Sequence, residues 1–317
     1  MNNSILIHPD ELTPVWIDRM KACGVTTLGI HPRGGRVAAE SLRELLELLK
    51  LPEYRSLLDE ASEKGLDIAY ECHAAAYLLP RELFDAHPEY FRMDAEGNRV
   101  RDWNFCVSNP EAISIVAKRA AETAKAFYRS GKRFYFWLDD GRDLSCHCPE
   151  CAKYSASDQQ LIALNAMIRE IRKDVPDAKL AYLAYFGTLA VPEKMKPEPG
   201  IFLEYAPMEK YVAKGEDREE KIAREFALID PLLDFFGRED SKVLEYWYDN
   251  SMYSDWKKPP KAFRPDEEAI KKDAAFYRRK GFRCVSTFGC FLGPDYEILH
   301  GEPDMAPYVR EISRTEQ

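Results

Sequence analysis

No run in this sequence approaches the ~20 uninterrupted apolar residues of a membrane-spanning helix, so a membrane is not an expected partner. The opening Met-Asn-Asn-Ser-Ile-Leu-Ile-His-Pro lacks the basic and apolar regions of a secretory signal, and the chain as given is expected in the cytoplasm unless a leader has been trimmed. Positive charge is in deficit: 45 Lys and Arg stand against 54 Asp and Glu, for a net charge of −9. No basic cluster alternates with aromatics, which argues against nucleic acid as a partner. No Gly-x-Gly-x-x-Gly follows the first apolar run, which weakens a dinucleotide-binding reading. Internal repeats, low-complexity tracts and interdomain linkers are also missing, and no feature sets an oligomeric state. A disulfide framework does not fit either, because three of the eight cysteines crowd into residues 146–151 and the rest are scattered.

What is present suits one large core. The 317 residues are 45% apolar and 12% aromatic. Strand-like runs at 4–8, 25–31, 67–72, 133–139, 179–186, 201–206, 242–248 and 284–289 alternate with helix-period segments near 11–23, 53–64, 110–130, 157–174, 217–236 and 266–280. End signals agree with that division: Asp10 or Thr13 with Pro14 opens the first helix, Asn109-Pro110 opens the third, and Gly24, Gly65 and Gly281 follow helix ends. Eight strands alternating with helices predict an α/β fold, a single-domain (β/α)8 TIM barrel over residues 1–317. Long, His- and aromatic-rich loops at 74–109 and 140–156 follow strand C-termini, the face on which such a barrel builds its site; the link 187–200 is Pro-rich and predicted to lack a full helix.

The run Phe134-Tyr-Phe-Trp137-Leu-Asp139-Asp140 ends a buried strand in two carboxylates, which makes Asp139 and Asp140 the candidate catalytic pair. The other strand ends supply His8, His31, Glu71 with His73, Tyr185, Glu204 with Tyr205, Trp247 with Tyr248 and Asp249, and Thr287. Aromatic faces stack on sugar C–H faces while carboxylates and imidazoles bond hydroxyls, so Trp137 and this ring predict a carbohydrate substrate. His8, His31 and His73 at consecutive strand ends also admit a zinc-dependent hydrolase, although the first strand carries no His-x-His. Cys146-x-Cys148-x-x-Cys151 needs only a fourth ligand, Cys106 or His147, to hold a structural zinc; catalysis itself is expected to need no cofactor.

Ala86-His-Pro-Glu-Tyr90-Phe91, Phe105-Cys106-Val-Ser-Asn109-Pro110-Glu111, Asp140 with the cysteine triplet, Asn165, Leu183-Ala-Tyr185 and Tyr246-Trp-Tyr248-Asp249-Asn250, in order over residues 66–293, resemble domain of unknown function 4838, which overlaps glycoside hydrolase family 163. The resemblance implies a hexosaminidase-type glycosidase that cleaves β-N-acetylhexosaminides with retention by substrate assistance. Asp140 would then be the general acid/base and Asp139 would orient the 2-acetamido nitrogen, with Tyr185 or Tyr248 donating to the acetamide oxygen. Related enzymes usually carry Asp-Glu where this chain has Asp-Asp. Two alternatives stay open: an inverting glycosidase on another sugar such as a uronic acid, with Glu71, Glu204, Glu245 or Asp249 as base, and a sugar-binding barrel without catalysis.

Overall fold

Eight short strands, β1 (Asn2–Ile7), β2 (Thr27–Ile30), β3 (Asp67–His73), β4 (Arg133–Trp137), β5 (Lys179–Ala184), β6 (Ile201–Tyr205), β7 (Lys242–Glu245) and β8 (Cys284–Phe288), pair in parallel and in sequence order. Pairing of β8 with β1 closes the barrel and leaves no sheet edge. The computed structural model describes residues 1–314; the last three of the expected domain lie outside the described residues.

Period-two alternation sorts each strand between two cores. On β4, Phe134 and Phe136 join the outer core against the helices, whereas Tyr135 and Trp137 join the inner one with Leu6, Leu183, Leu244 and Phe288. The lumen also holds charge. Lys242 from β7 meets Glu71 of β3 at 2.5 Å and Glu204 of β6 at 2.8 Å, all three buried, beneath Trp137, whose indole N–H donates to Glu204 at 2.7 Å.

The outer helices begin and end where the sequence signals them. Thr13 caps the helix Pro14–Cys23 by accepting from Trp16 N–H, and Asn109 caps Pro110–Ala126 by accepting from two backbone N–H groups. Gly24 and Gly281 close their helices with φ of 79° and 87°, a conformation that costs a glycine little. The link after β5 holds only the 3₁₀ turn Phe186–Thr188. A helix not expected above, Ala38–Leu48, follows β2; Leu42, Leu45 and Leu49 at helical spacing bury its inner face. The segment expected as one helix over 217–236 is two, Arg218–Ala227 and Ile229–Phe236.

A last helix, Ala306–Ser313, covers the closure between β1 and β8. The Tyr308 hydroxyl reaches the carbonyls of Ser4 (2.9 Å) and Val285 (2.6 Å) and accepts from Ser4 N–H (3.1 Å), so one atom bridges both strands of the seam. Among the described residues no helix is long and apolar enough to cross a membrane.

Candidate active site

The C-terminal ends of the strands open into a cavity of about 450 Å³. Three imidazoles from consecutive strand ends form one wall. His8 Nδ1 bonds the carbonyl of His31 (2.9 Å), His31 Nδ1 that of Glu71 (2.8 Å), and His73 Nδ1 that of Leu138 (2.6 Å), each on the next strand or just past its end. A carbonyl only accepts, so each Nδ1 carries a proton, and a neutral ring then keeps its lone pair on Nε2. Burial pushes His8 down to about 4 and His31 well below its usual range, which keeps both neutral. Among the described residues only the four cysteines bring three or more ligand atoms within 4.8 Å of one another, so the three-histidine zinc centre is not formed.

The two carboxylates after β4 part company. Asp140 lines the cavity and accepts the Tyr185 hydroxyl at 2.9 Å. Burial, and after it Tyr246 and Asp140, hold the Tyr185 phenol well above its usual value, so it stays a donor. Asp139 turns instead toward a smaller adjacent cavity of about 120 Å³. Its Oδ1 accepts Ala76 N–H at 3.0 Å and its Oδ2 accepts Asn104 N–H at 2.5 Å, while its own N–H donates to Asn104 Oδ1 at 2.8 Å. Asp139 therefore fastens the 74–109 loop to the end of β4, and both its oxygens are engaged by backbone donors. The acetamide-orienting role implied above does not suit such a carboxylate.

The remaining strand ends correct the phase of the expected ring. On β7 the even residues face inward, so Tyr246, after Lys242 and Leu244, enters the cavity. Trp247 points outward, its indole donating to Asp273 at 3.1 Å, and Tyr248 is fully buried against Phe263 and Tyr308. Neither lines the cavity. Glu245 also lies outside the lumen, bonded to Lys210 and to the Tyr211 and Tyr277 hydroxyls. Outward-facing Thr287 accepts Tyr248 N–H, and Tyr205 packs on Phe226 and Phe282. Glu71 and Glu204 sit below the cavity floor, committed to Lys242. Asp249 does line the cavity: its Oδ1 accepts the Ser251 hydroxyl and Met252 N–H, and burial raises its carboxyl. Trp137, Phe288 and Tyr246 give the cavity an aromatic lining beside His31. Tyr246 and Phe288 escaped the sequence reading, as did Arg33 and Gly34 at the rim; inward alternation was the available signal for the first two.

Beside the smaller cavity, which Cys146 lines, Cys106, Cys146, Cys148 and Cys151 converge, all buried, with Cys106 Sγ 3.6 Å from Cys148 Sγ and 3.7 Å from Cys151 Sγ. The fourth position falls to Cys106 and not to His147.

Among curated proteins none matches the sequence. Solved structures with a similar fold include the β-galactosidase of Rahnella sp. R3 (13% identity, 91% of this chain and 50% of that chain, TM-score 0.55), endo-glycoceramidase II of a Rhodococcus species (10%, 91% and 73%, 0.53) and Cel5A of Thermotoga maritima (10%, 98% and 97%, 0.52). The chain thus spans about half the length of the β-galactosidase, and identities this low establish a shared barrel fold alone. The family described as Domain of unknown function (DUF4838) matches residues 43–230, more than half of the sequence, and the chain belongs to that family.

Proposed function

We propose that the protein is a glycoside hydrolase in which Asp140 donates the proton to the departing glycosidic oxygen. One observation carries this: a carboxyl hydrogen-bonded by Tyr185 in a cavity of about 450 Å³ with aromatic lining and neutral imidazole acceptors. Trp137, Tyr246 and Phe288 offer faces to a sugar ring, and the neutral His8 and His31 offer lone pairs to its hydroxyls. Elimination leaves Asp249 as the second carboxylate, because Glu71 and Glu204 are held by Lys242 and Glu245 faces the outer helices. In this reading Asp249 attacks the anomeric carbon or activates a water across the ring from Asp140. Two neighbours in fold are known with sugars bound: the Rhodococcus enzyme as a lactosyl-enzyme intermediate and the Thermotoga enzyme in complex with mannotriose substrate.

A second reading keeps the β-N-acetylhexosaminide substrate and its own acetamido oxygen as nucleophile. The Tyr185 hydroxyl beside Asp140 favours it, with Tyr185 or Tyr246 in place of Asp139 as the group that holds the acetamide. A panel of aryl glycosides, N-acetylglucosaminides and uronides included, tests both. Asp140→Asn should lower turnover by ~10²–10⁴ on substrates with poor leaving groups and far less on activated ones. Asp249→Asn should abolish turnover if two enzymic carboxylates act. If Asp249→Asn keeps turning over N-acetylglucosaminides and a thiazoline competes, substrate assistance replaces it; sugar binding without turnover on every substrate would sink both.

A further inference from the structure

The 140–156 loop poses a folding problem that the catalytic reading does not address. Residues 138–150 contain no helix or strand, yet this stretch carries Asp140 into the larger cavity and lines the smaller one beside it. Such irregular segments need an internal staple. Four cysteines supply one. Cys106 comes from the 74–109 loop, whereas Cys146, Cys148 and Cys151 come from the loop after β4, and all four sulfurs lie within 4.8 Å of one another.

We propose that Cys106, Cys146, Cys148 and Cys151 bind one zinc ion in a closed tetrathiolate centre that clamps these two loops together. With Zn–S bonds of ~2.3 Å, the sulfurs of a tetrahedral site stand ~3.8 Å apart. The observed 3.6 Å and 3.7 Å separations match that edge and far exceed the ~2 Å of a disulfide. Thiolates alone select a soft, tetrahedral ion, and four of them leave no position for water or substrate, so the centre is structural. The surroundings suit thiolates: Met93 N–H donates to Cys146 Sγ at 3.3 Å, the Arg99 guanidinium lies 3.8 Å from the same sulfur, and Ser108 Oγ is 3.1 Å from Cys151 Sγ. Donors and a cation of this kind offset the excess negative charge of four thiolates on a divalent ion.

Around the sulfurs the backbone is already tied. Gln159, on the helix Ala156–Ile171, accepts Cys146 N–H at 2.9 Å and donates to the carbonyls of Cys146 and Cys151. Asn104, two residues before Cys106, exchanges hydrogen bonds with Asp139, and its amide donates to Leu144 O, two residues before Cys146. The ion would complete a short path from the sulfurs through Asn104 to Asp139 and the adjoining Asp140. Binding releases the thiol protons to solvent, and its free energy becomes folding free energy of the two loops.

Elemental analysis of the full chain, purified under reducing conditions without added metal, should find one zinc per chain. Cobalt exchange should give the visible and charge-transfer bands of tetrahedral tetrathiolate cobalt. Chelation should lower the melting temperature and open residues 140–156 to protease. Cys148→Ser should lose the ion, while Cys23→Ser, outside the cluster, keeps it. Should Cys148→Ser fail to fold, the stoichiometry and cobalt spectrum of the unaltered protein still decide. Metal-free protein from zinc-supplied cells, with four freely titrating thiols and an unchanged melt in chelator, would overturn the proposal, as would iron at one per chain.

Discussion

Gly34 shows how closely single residues define the mouth of the barrel. A methyl group added there would lie 3.1 Å from His73 Cδ2 and 3.4 Å from Asp140 Oδ2. Its φ is −82°, which any residue tolerates, so the backbone would not resist the change; the neighbours would. Both are held by a hydrogen bond, His73 to Leu138 O and Asp140 from the Tyr185 hydroxyl. Gly34→Ala should therefore push His73 aside by a few tenths of an ångström and crowd Asp140 and, with Asp140 as the proposed proton donor, lower kcat severalfold with the melting temperature unchanged, since productive geometry is lost over small distances. Equal kcat in variant and parent would show that Asp140 has slack. The three imidazoles make a related demand on a ligand. With each Nδ1 proton spent on a carbonyl, the neutral His8 and His31 offer acceptors and ask the ligand for donors, as a polyol has in number.

At the level of strands, the Glu71–Lys242–Glu204 group places two acids on one ammonium in the lumen. Burial pushes Glu71 up to about 8, and Glu204 adds to that against the pull of Lys242. An acid whose folded pKa is raised holds its proton while the unfolded chain has lost it, so its contribution to stability falls as pH rises from about 4.5 toward about 8. Glu71→Gln leaves one carboxylate and one ammonium and removes that slope. Urea melts at pH 5.5 and pH 8 should show the variant gaining on the parent at the higher pH, by up to ~1.4 kcal/mol per pH unit. A stability difference independent of pH would mean that Glu71 is ionised throughout. The same strands show what the sequence discloses. All eight were legible because buried parallel strands are apolar on both faces, and caps such as Thr13 and Asn109 act locally. The roles of the strand-end residues were not. β7 stops at Glu245, so reading it on to residue 248 put Trp247 and Tyr248 in the cavity in place of Tyr246. Glu71 and Glu204 belong to a charge cluster made by strands far apart in sequence, and Asp139 is claimed by the N–H groups of Asn104 and Ala76, 35 and 63 residues upstream. Spacing alone does not record such partners. The cysteines did disclose themselves, because three of the four sit within six positions.

For the molecule as a whole, chemistry and closure occupy different parts of one barrel. The cavity, its loops and the sulfur cluster gather at the C-terminal ends of the strands, while the seam between first and last strand is fastened by Tyr308. That clasp joins residues 304 apart in sequence, the longest separation of any side-chain hydrogen bond in the described residues. A contact so distant forms only after the chain between has been ordered, since loop-closure entropy opposes it earlier. The seam should then be the last part to assemble and the first to open. Tyr308→Phe removes one hydroxyl and leaves Ser4 N–H without this acceptor, a loss of ~1–3 kcal/mol. Because the clasp is absent from the transition state, that loss belongs to the unfolding limb of the chevron: the variant should unfold roughly ten- to a hundredfold faster and refold at the parent's rate. Slower refolding would instead place the meeting of β1 and β8 early, with the barrel closing before its wall is complete.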